Sequence, residues 1–303
     1  MRAVVMRETG APEVLRVEDV ERPEPADGEV LIRVRAASVN PFEWKQRRGL
    51  APKLLPAVLG SDASGTIELS RADAFDAGDE VFGLVATGSY AEFAATPAAM
   101  ITRKPARISH EQAAALPVAG LTAWQALFDR AGVERGQTVV ISGAGGGVGH
   151  LAVQFASRVA GARTIGVGSS RNREFVLGLG ADDYVDYTRQ GVAEAVAGVD
   201  VALDTVGGTV TQALLSTVRP GGTLVTITGG SLEEEARERG VRAERLVMSP
   251  NAEQLGRIGE LVAAGDVRVE IAEVLPLEQA PRAHELSESG HVRGKLVLAV
   301  SSG

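Results

Sequence analysis

Residues 139–156 read VVISGAGGGVGHLAVQFA, an apolar run, a burst of glycines and a second apolar run. VVIS has the composition of a buried strand and HLAVQFA that of a helix, so the glycines fall at a strand-to-helix turn. Two spaced patterns overlap there, Gly143-x-x-Gly146-x-x-Gly149 and Ala144-x-Gly146-x-x-Gly149. Backbone N–H groups at such a turn, with the positive end of the helix dipole, form an anion site that a Cβ would obstruct. A tight turn with nothing bound is the alternative. The strand–helix units that follow favour a dinucleotide pyrophosphate held by Gly143, Ala144, Gly145, Gly146, Gly147, Val148 and Gly149.

Downstream the chain alternates. Strands are expected at Val139–Ser142, Thr164–Val167, Tyr184–Asp186, Val199–Thr205 and Thr223–Thr228, with helices at His150–Val159, Asn172–Leu179, Gly191–Val196 and Val210–Val218. These strands are continuous apolar runs, as expected when helices cover both faces of a parallel sheet. The run EEEARERGVRAER at 233–245 reads as a solvated helical face, and 252–264 as a further helix. GKLVLAV closes the chain as a strand.

Upstream the texture differs. Val14–Val20, Glu29–Ala37, Ala63–Glu68, Glu80–Leu84 and Tyr90–Ala95 are short Val/Ile-bearing strands broken by Pro23, Pro25, Asp27-Gly28 and Gly78-Asp79. Residues 40–60 read as irregular and long enough to line a site. Ser109, with Glu111 and Gln112 soon after it, opens a helical run interrupted by Pro117 and closed by Gly132.

The composition bounds the function. The 303 residues suffice for two domains with their own cores. A formal net charge of −8 disfavours phosphate backbones and anionic lipid, so neither nucleic acid nor membrane is an expected partner. MRAVVMRETG places charges on both sides of a very short apolar patch, neither a signal peptide nor a span, and a cytoplasmic protein is expected. With no cysteine there is no thiolate nucleophile and no Cys-based zinc site, and His110, His150, His284 and His291 show no ligand spacing.

Dinucleotide binders that prefer NADH place an acid on the ribose 2′-hydroxyl about 20 residues beyond the glycines. Here that region reads GVGSSRNREF, with no carboxylate before Glu174. Ser169, Ser170, Arg171 and Arg173 offer hydroxyls and guanidinium groups instead, which suit a 2′-phosphate and so NADPH. A polar helix start with solvated arginines is the alternative.

The sequence resembles the zinc-independent medium-chain dehydrogenase/reductase superfamily, in its quinone oxidoreductase (zeta-crystallin-like) branch. The likeness runs through GEVLIRVRAASVNPFEWKQRRG, LPAVLGSDASGTI, GDEVFGL, GSYAEF, ALPVAGLTAWQAL, the glycine loop, GLGADDYVDY, DVALDTVGG and HVRGKLVLAV. It implies an α/β protein in which a GroES-like β-rich catalytic domain (1–114 and 265–303) carries an inserted Rossmann doubly wound parallel-sheet cofactor domain (115–264). Substrate and nicotinamide would share the cleft. A homodimer is implied, through edge strands near Thr223–Thr228.

Carried over by that resemblance, Asn40 would stand near nicotinamide and substrate; Asn40, Lys45 and Tyr90 are the residues expected to face the developing negative oxygen. Thr122 contacts the cofactor, Tyr187 the 2′-phosphate, and Arg293 and Lys295 form a basic pair near it. Each has a plainer reading: Asn40 as a turn cap, Tyr187 as half-buried core, Lys45 as a surface lysine near Glu43, Lys295 as a solvated strand end. GSDASG stands where zinc-dependent relatives carry His-Glu, so no metal is expected. The implied activity is NADPH-dependent reduction of a quinone or an α,β-unsaturated carbonyl (enone or enal). Enoyl-thioester reduction and non-catalytic NADPH binding are the alternatives.

Overall fold

A computed structural model describes residues 1–230 and 233–300. The chain divides into two compact units, one of Met1–Val118, Pro250–Gly265 and Val269–Gly303, the other of Ala119–Ser249 and Asp266–Arg268. Strands β1 (Arg2–Met6), β2 (Leu15–Asp19), β3 (Glu29–Val39), β4 (Ala57–Val58), β5 (Asp62–Ser70), β6 (Glu80–Leu84), β7 (Phe93–Pro97) and β8 (Ile101–Arg103) open the first unit. Strands β9 (Thr138–Ile141), β10 (Arg163–Gly168), β11 (Asp183–Asp186), β12 (Val199–Asp204), β13 (Val218–Thr226) and β14 (Arg242–Arg245) build the second. The chain then returns to the first with β15 (Ile271–Pro276) and β16 (Lys295–Ala299).

In the first unit one antiparallel sheet has the order β2-β1-β4, and a larger one runs β15-β16-β3-β5-β6-β8 with β7 also paired to β3. β16 lies antiparallel to β3, with Leu296 opposite Val39, so the tail completes a sheet begun some 250 residues earlier. That pairing carries Lys295 to the end of β3, beside Asn40. The stretch 40–60, expected to be irregular, contains the Pro41–Arg47 helix. Pro41 fits the first helical position because its missing N–H would have no partner there, and the Glu43 carboxylate accepts the Asn40 N–H at 2.9 Å. Ser109 caps its helix as the sequence suggests: its Oγ accepts the Gln112 N–H at 3.1 Å, and Gln112 Oε1 accepts the Ser109 N–H at 3.0 Å.

The Ala252–Ala264 helix, grouped by the sequence with the inserted domain, packs in the first unit instead. A Cβ on Gly259 would stand 2.9 Å from the Phe82 ring of β6, so the helix lies directly on that strand.

The second unit is a six-stranded parallel sheet of order β11-β10-β9-β12-β13-β14. Val139, Val140 and Ile141 of the central β9 are buried on both faces, which explains the continuous apolar run of the opening stretch. Each such side chain contributes roughly 1.5–3 kcal/mol of burial energy. The helix after the glycines runs Gly149–Gln154 and continues, π-wound, over Phe155–Ala160 until Gly161 ends it at φ 70°.

The charged run 233–245 resolves into two elements. Glu233–Glu238 is helical, but Arg242–Arg245 forms β14, pairing parallel to β13 between the buried Val241 and Leu246. β13 is therefore an interior strand, and the sheet edge expected at 223–228 lies at β14. Among the described residues no helix is long and apolar enough to cross a membrane.

Candidate functional site

The glycine loop owes its shape to two close approaches. A Cβ on Gly149 would stand 2.1 Å from the Gly143 carbonyl oxygen and 2.8 Å from the Ala144 Cα, so only glycine lets the helix start against the strand end. Gly143 has φ +58°, and a Cβ there would meet Thr205 Oγ1 at 2.4 Å. Ala144 N donates to Val167 O and Gly146 N to Gly143 O, which fixes the turn. The N–H groups of Gly145, Gly147 and Val148 have no acceptor among the described residues. Unpaired amides at the head of a helix fit a pyrophosphate. Gly149→Ala is expected to lower the unfolding free energy by about 2 kcal/mol, in the range for forced overpacking. An unchanged thermal midpoint would show that the loop has room for a methyl group.

His150 is wholly buried, with Nδ1 against the Gly146 carbonyl at 2.9 Å, so it braces the loop from inside. Asp204, which sequence reasoning does not single out, anchors the loop's other flank. Its Oδ1 accepts Ser142 Oγ–H (3.0 Å) and the amides of Val206 (2.9 Å) and Gly207 (3.0 Å). Its Oδ2 accepts the hydroxyls of Thr211 (2.7 Å) and Thr226 (3.1 Å). One buried carboxylate thus ties the ends of β9, β12 and β13 together.

At the end of β10 the structure gathers Ser169, Ser170, Arg171 and Arg173, and at the end of the adjacent β11 it adds Tyr187, 60% exposed. The Tyr187 N–H donates to Gly168 O at 3.1 Å, closing the two strand ends on each other. Arg173 donates to Tyr184 O at 3.3 Å, and the Tyr184 hydroxyl donates to Ser169 O at 2.7 Å. Ser170, Arg171, Arg173 and Tyr187 are all exposed, so the cluster presents cationic and hydroxyl groups at the surface. Thr122, the remaining candidate of this unit, is buried in the Pro117–Trp124 helix.

The candidates of the first unit fare differently. Asn40 is 3% exposed, and its amide is committed inward. Nδ2 donates to Asp62 Oδ2 (3.0 Å) and Glu43 Oε1 (3.3 Å), while Oδ1 accepts from the Lys295 ammonium. Both amide hydrogens being used, Asn40 has none to give a developing oxyanion. Lys295 is itself 3% exposed, donating also to Val39 O at 3.3 Å and lying 3.9 Å from Asp62. The expectation that it meets the cofactor gives way to that of an internal cation, because the pairing of β16 with β3 turns its side chain into the sheet's polar core. Arg293, two residues earlier, is exposed. Tyr90 is fully buried, its hydroxyl 3.3 Å from His284 Nε2, so it does not present that hydroxyl to an acceptor. Burial, with Arg47 nearby, pulls His284 down to about 3, so it stays neutral. Lys45 alone of the three acceptor-side candidates is exposed, its ammonium 5.7 Å from the Trp44 ring; Glu43, the partner considered for it, is buried elsewhere.

The buried group of Asn40, Glu43, Asp62 and Lys295 has two carboxylates and one ammonium. Asp62 accepts four contacts, from Ser38 Oγ (2.6 Å), Asn40 Nδ2, Val118 N (3.0 Å) and Lys295, whereas Glu43 has Asn40, its own backbone amide and the Lys295 charge. Burial raises both carboxyls, Glu43 to about 7 with Asp62 as the second cause. We assign the first proton taken up to Glu43, which has fewer hydrogen-bond donors around it than Asp62. A raised carboxyl pKa adds stability that is complete below about 4.5 and is lost as pH climbs through about 7. Glu43→Gln is therefore expected to flatten the fall in thermal midpoint between pH 5 and 8. Parallel midpoint–pH curves for the variant and the parent would refute the assignment.

Among the described residues no zinc site is built. The chain has no cysteine, among the described residues no three His, Cys, Asp or Glu side chains converge, and an ammonium occupies the centre of the Asn40–Asp62 cluster. The residues present do not fit that metal.

Comparison with known proteins agrees with this architecture. The family described as alcohol dehydrogenase GroES-like domain matches residues 26–106, and that described as zinc-binding dehydrogenase matches 179–298. The chloroplast envelope quinone oxidoreductase homolog of Arabidopsis thaliana is 33% identical, over 91% of each chain. The 2-methylene-furan-3-one reductase of Solanum lycopersicum is 31% identical, over 98% of this chain and 79% of its own. Among solved structures, the quinone oxidoreductase from Coxiella burnetii has a TM-score of 0.94 and 37% identity over 99% of both chains. The Escherichia coli quinone oxidoreductase complexed with NADPH has a TM-score of 0.91 and 28% identity, over 99% of this chain and 100% of its own. With its β-rich unit, its six-stranded parallel sheet and its glycine loop, the chain belongs to the medium-chain dehydrogenase/reductase superfamily, among the quinone oxidoreductases.

Proposed function

We propose that this protein is an NADPH-dependent reductase of quinones or α,β-unsaturated carbonyls. The observation that carries the reading is the pair of serines and pair of arginines at the end of β10, one strand away from three unpaired amides of the glycine loop. The similar E. coli quinone oxidoreductase is complexed with NADPH, and the two plant relatives are named for a quinone and a furanone acceptor.

When bound, the dinucleotide supplies a hydride equivalent from its reduced nicotinamide. The chain's own part is binding and orientation. The amides of Gly145, Gly147 and Val148 and the helix beginning at Gly149 hold the pyrophosphate. Ser169, Ser170, Arg171, Arg173 and Tyr187 hold the 2′-phosphate, with the guanidinium groups supplying charge-assisted hydrogen bonds. The exposed Lys45 ammonium is the donor for negative charge developing on the acceptor oxygen. The proton that completes the reduction comes from solvent, as a quinol or enolate oxygen protonates readily in water. Asn40, Asp62 and Lys295 keep the end of β3 and the start of the Pro41–Arg47 helix in place. A cytoplasmic homodimer is part of this proposal, on the resemblance of the sequence alone.

The test is turnover. The purified protein is mixed with NADPH and with 1,4-benzoquinone, 9,10-phenanthrenequinone, an enal, an enone or crotonyl-CoA, and absorbance of the reduced nicotinamide is followed. Oxidation with a quinone or an enone is expected. Crotonyl-CoA as the best acceptor would move the reading to an enoyl-thioester reductase, and NADPH binding without any oxidation would overturn catalysis.

A further inference from the structure

The end of β10 carries no acid, but the neighbouring strand ends in one. β10 and β11 run parallel with Gly168 opposite Asp186, so β11 ends beside the turn that carries Ser169, Ser170 and Arg171. Asp186 lies roughly 40 residues beyond the glycine loop, twice the spacing at which an acid is usually sought. Its Oδ1 accepts the Thr188 hydroxyl at 2.7 Å and the Thr188 N–H at 3.0 Å. The Thr188 hydroxyl and amide, with Arg189 and the Ser170 amide, hold it below the usual carboxylate range, so it is ionised at neutral pH. The half-buried Asp186 is flanked by the exposed Tyr187, and the turn that carries Ser170 and Arg171 follows the paired end of β10.

The pocket thus mixes signs. A carboxylate only accepts hydrogen bonds, so it suits a ribose 2′-hydroxyl, which has one to give. A 2′-phosphate has none to give and is repelled.

Resting on the reading of this cluster as the 2′ site, we propose that Asp186 sets the cofactor discrimination of this chain. It accepts the 2′-hydroxyl of NADH and opposes the 2′-phosphate of NADPH, holding the preference for NADPH below what Arg171 and Arg173 alone would give. Asp186→Asn keeps an oxygen for the Thr188 bonds while removing the charge.

Two fragments read the pocket without any hydride step: 2′,5′-ADP, which carries the 2′-phosphate, and 5′-AMP, which lacks it. Calorimetric titration of the full chain is expected to show 2′,5′-ADP binding about tenfold tighter to the Asp186→Asn variant than to the parent, with 5′-AMP binding equal or weaker. Asp186→Ser should move both ligands in the same directions, which guards against misfolding of the first variant. Unchanged 2′,5′-ADP affinity in both variants, while Arg171→Ala with Arg173→Ala weakens it, would overturn the role of Asp186 and leave the phosphate pocket standing. If neither the acid nor the arginine variants alter 2′,5′-ADP relative to 5′-AMP, the pocket reading itself falls, and this inference with it.

Discussion

Lys295→Met is expected to destabilise the first unit by about 3–5 kcal/mol at pH 8, the usual cost of removing one partner from a buried charge pair. The variant keeps most of the side-chain volume but strips the cluster of its only cation. Asn40 Oδ1 and Val39 O lose their donor, and Asp62 is left buried beside Glu43 with no compensating charge. The loss should shrink at pH 5, where the carboxyls take up protons. Urea unfolding at the two pH values checks this. Equal midpoints for the variant and the parent at pH 8 would mean that the ammonium is not the internal counterion described here.

Arg171→Ala combined with Arg173→Ala is expected to lower kcat/KM for NADPH about 100-fold and that for NADH by less than about threefold. Each charge-assisted hydrogen bond to phosphate contributes about 1.5–3 kcal/mol, and 1.4 kcal/mol is a factor of ten. The effect should fall on KM, since the 2′-phosphate is remote from the reacting carbon. Arg173 also donates to Tyr184 O, so a thermal midpoint belongs beside the kinetics. Equal losses with both cofactors would sink the phosphate assignment.

The second unit is legible in the sequence because its strands are buried on both faces and its turns are marked by glycine. β9, the glycine loop and the helix after it can be placed to within a residue or two. The Pro41–Arg47 helix escapes a sequence reading although its signals are in view, Asn40 and Glu43 at capping-box spacing with a proline between them; at about two turns it is too short for apolar periodicity. β14 escapes because its alternating charges resemble a solvated helix, and only pairing with β13 makes it a strand.

The site divides the same way. Ser169, Ser170, Arg171 and Arg173 are close together in the chain, so a local reading groups them as a candidate. Asn40, Glu43, Asp62 and Lys295 are brought together by sheet pairing across 255 residues, and no local pattern announces which of them faces inward. Lys295 therefore reads, from sequence, as a cofactor contact. Asp186 is passed over when the acid is sought on β10, and parallel pairing delivers it from β11.

The most direct test of the central claim is equilibrium binding of NADPH and NADH to the unmodified protein, followed by reduced-nicotinamide fluorescence. NADPH is expected to bind tighter by about tenfold, one charge-assisted contact's worth. Equal affinities, or NADH the tighter of the two, would contradict it.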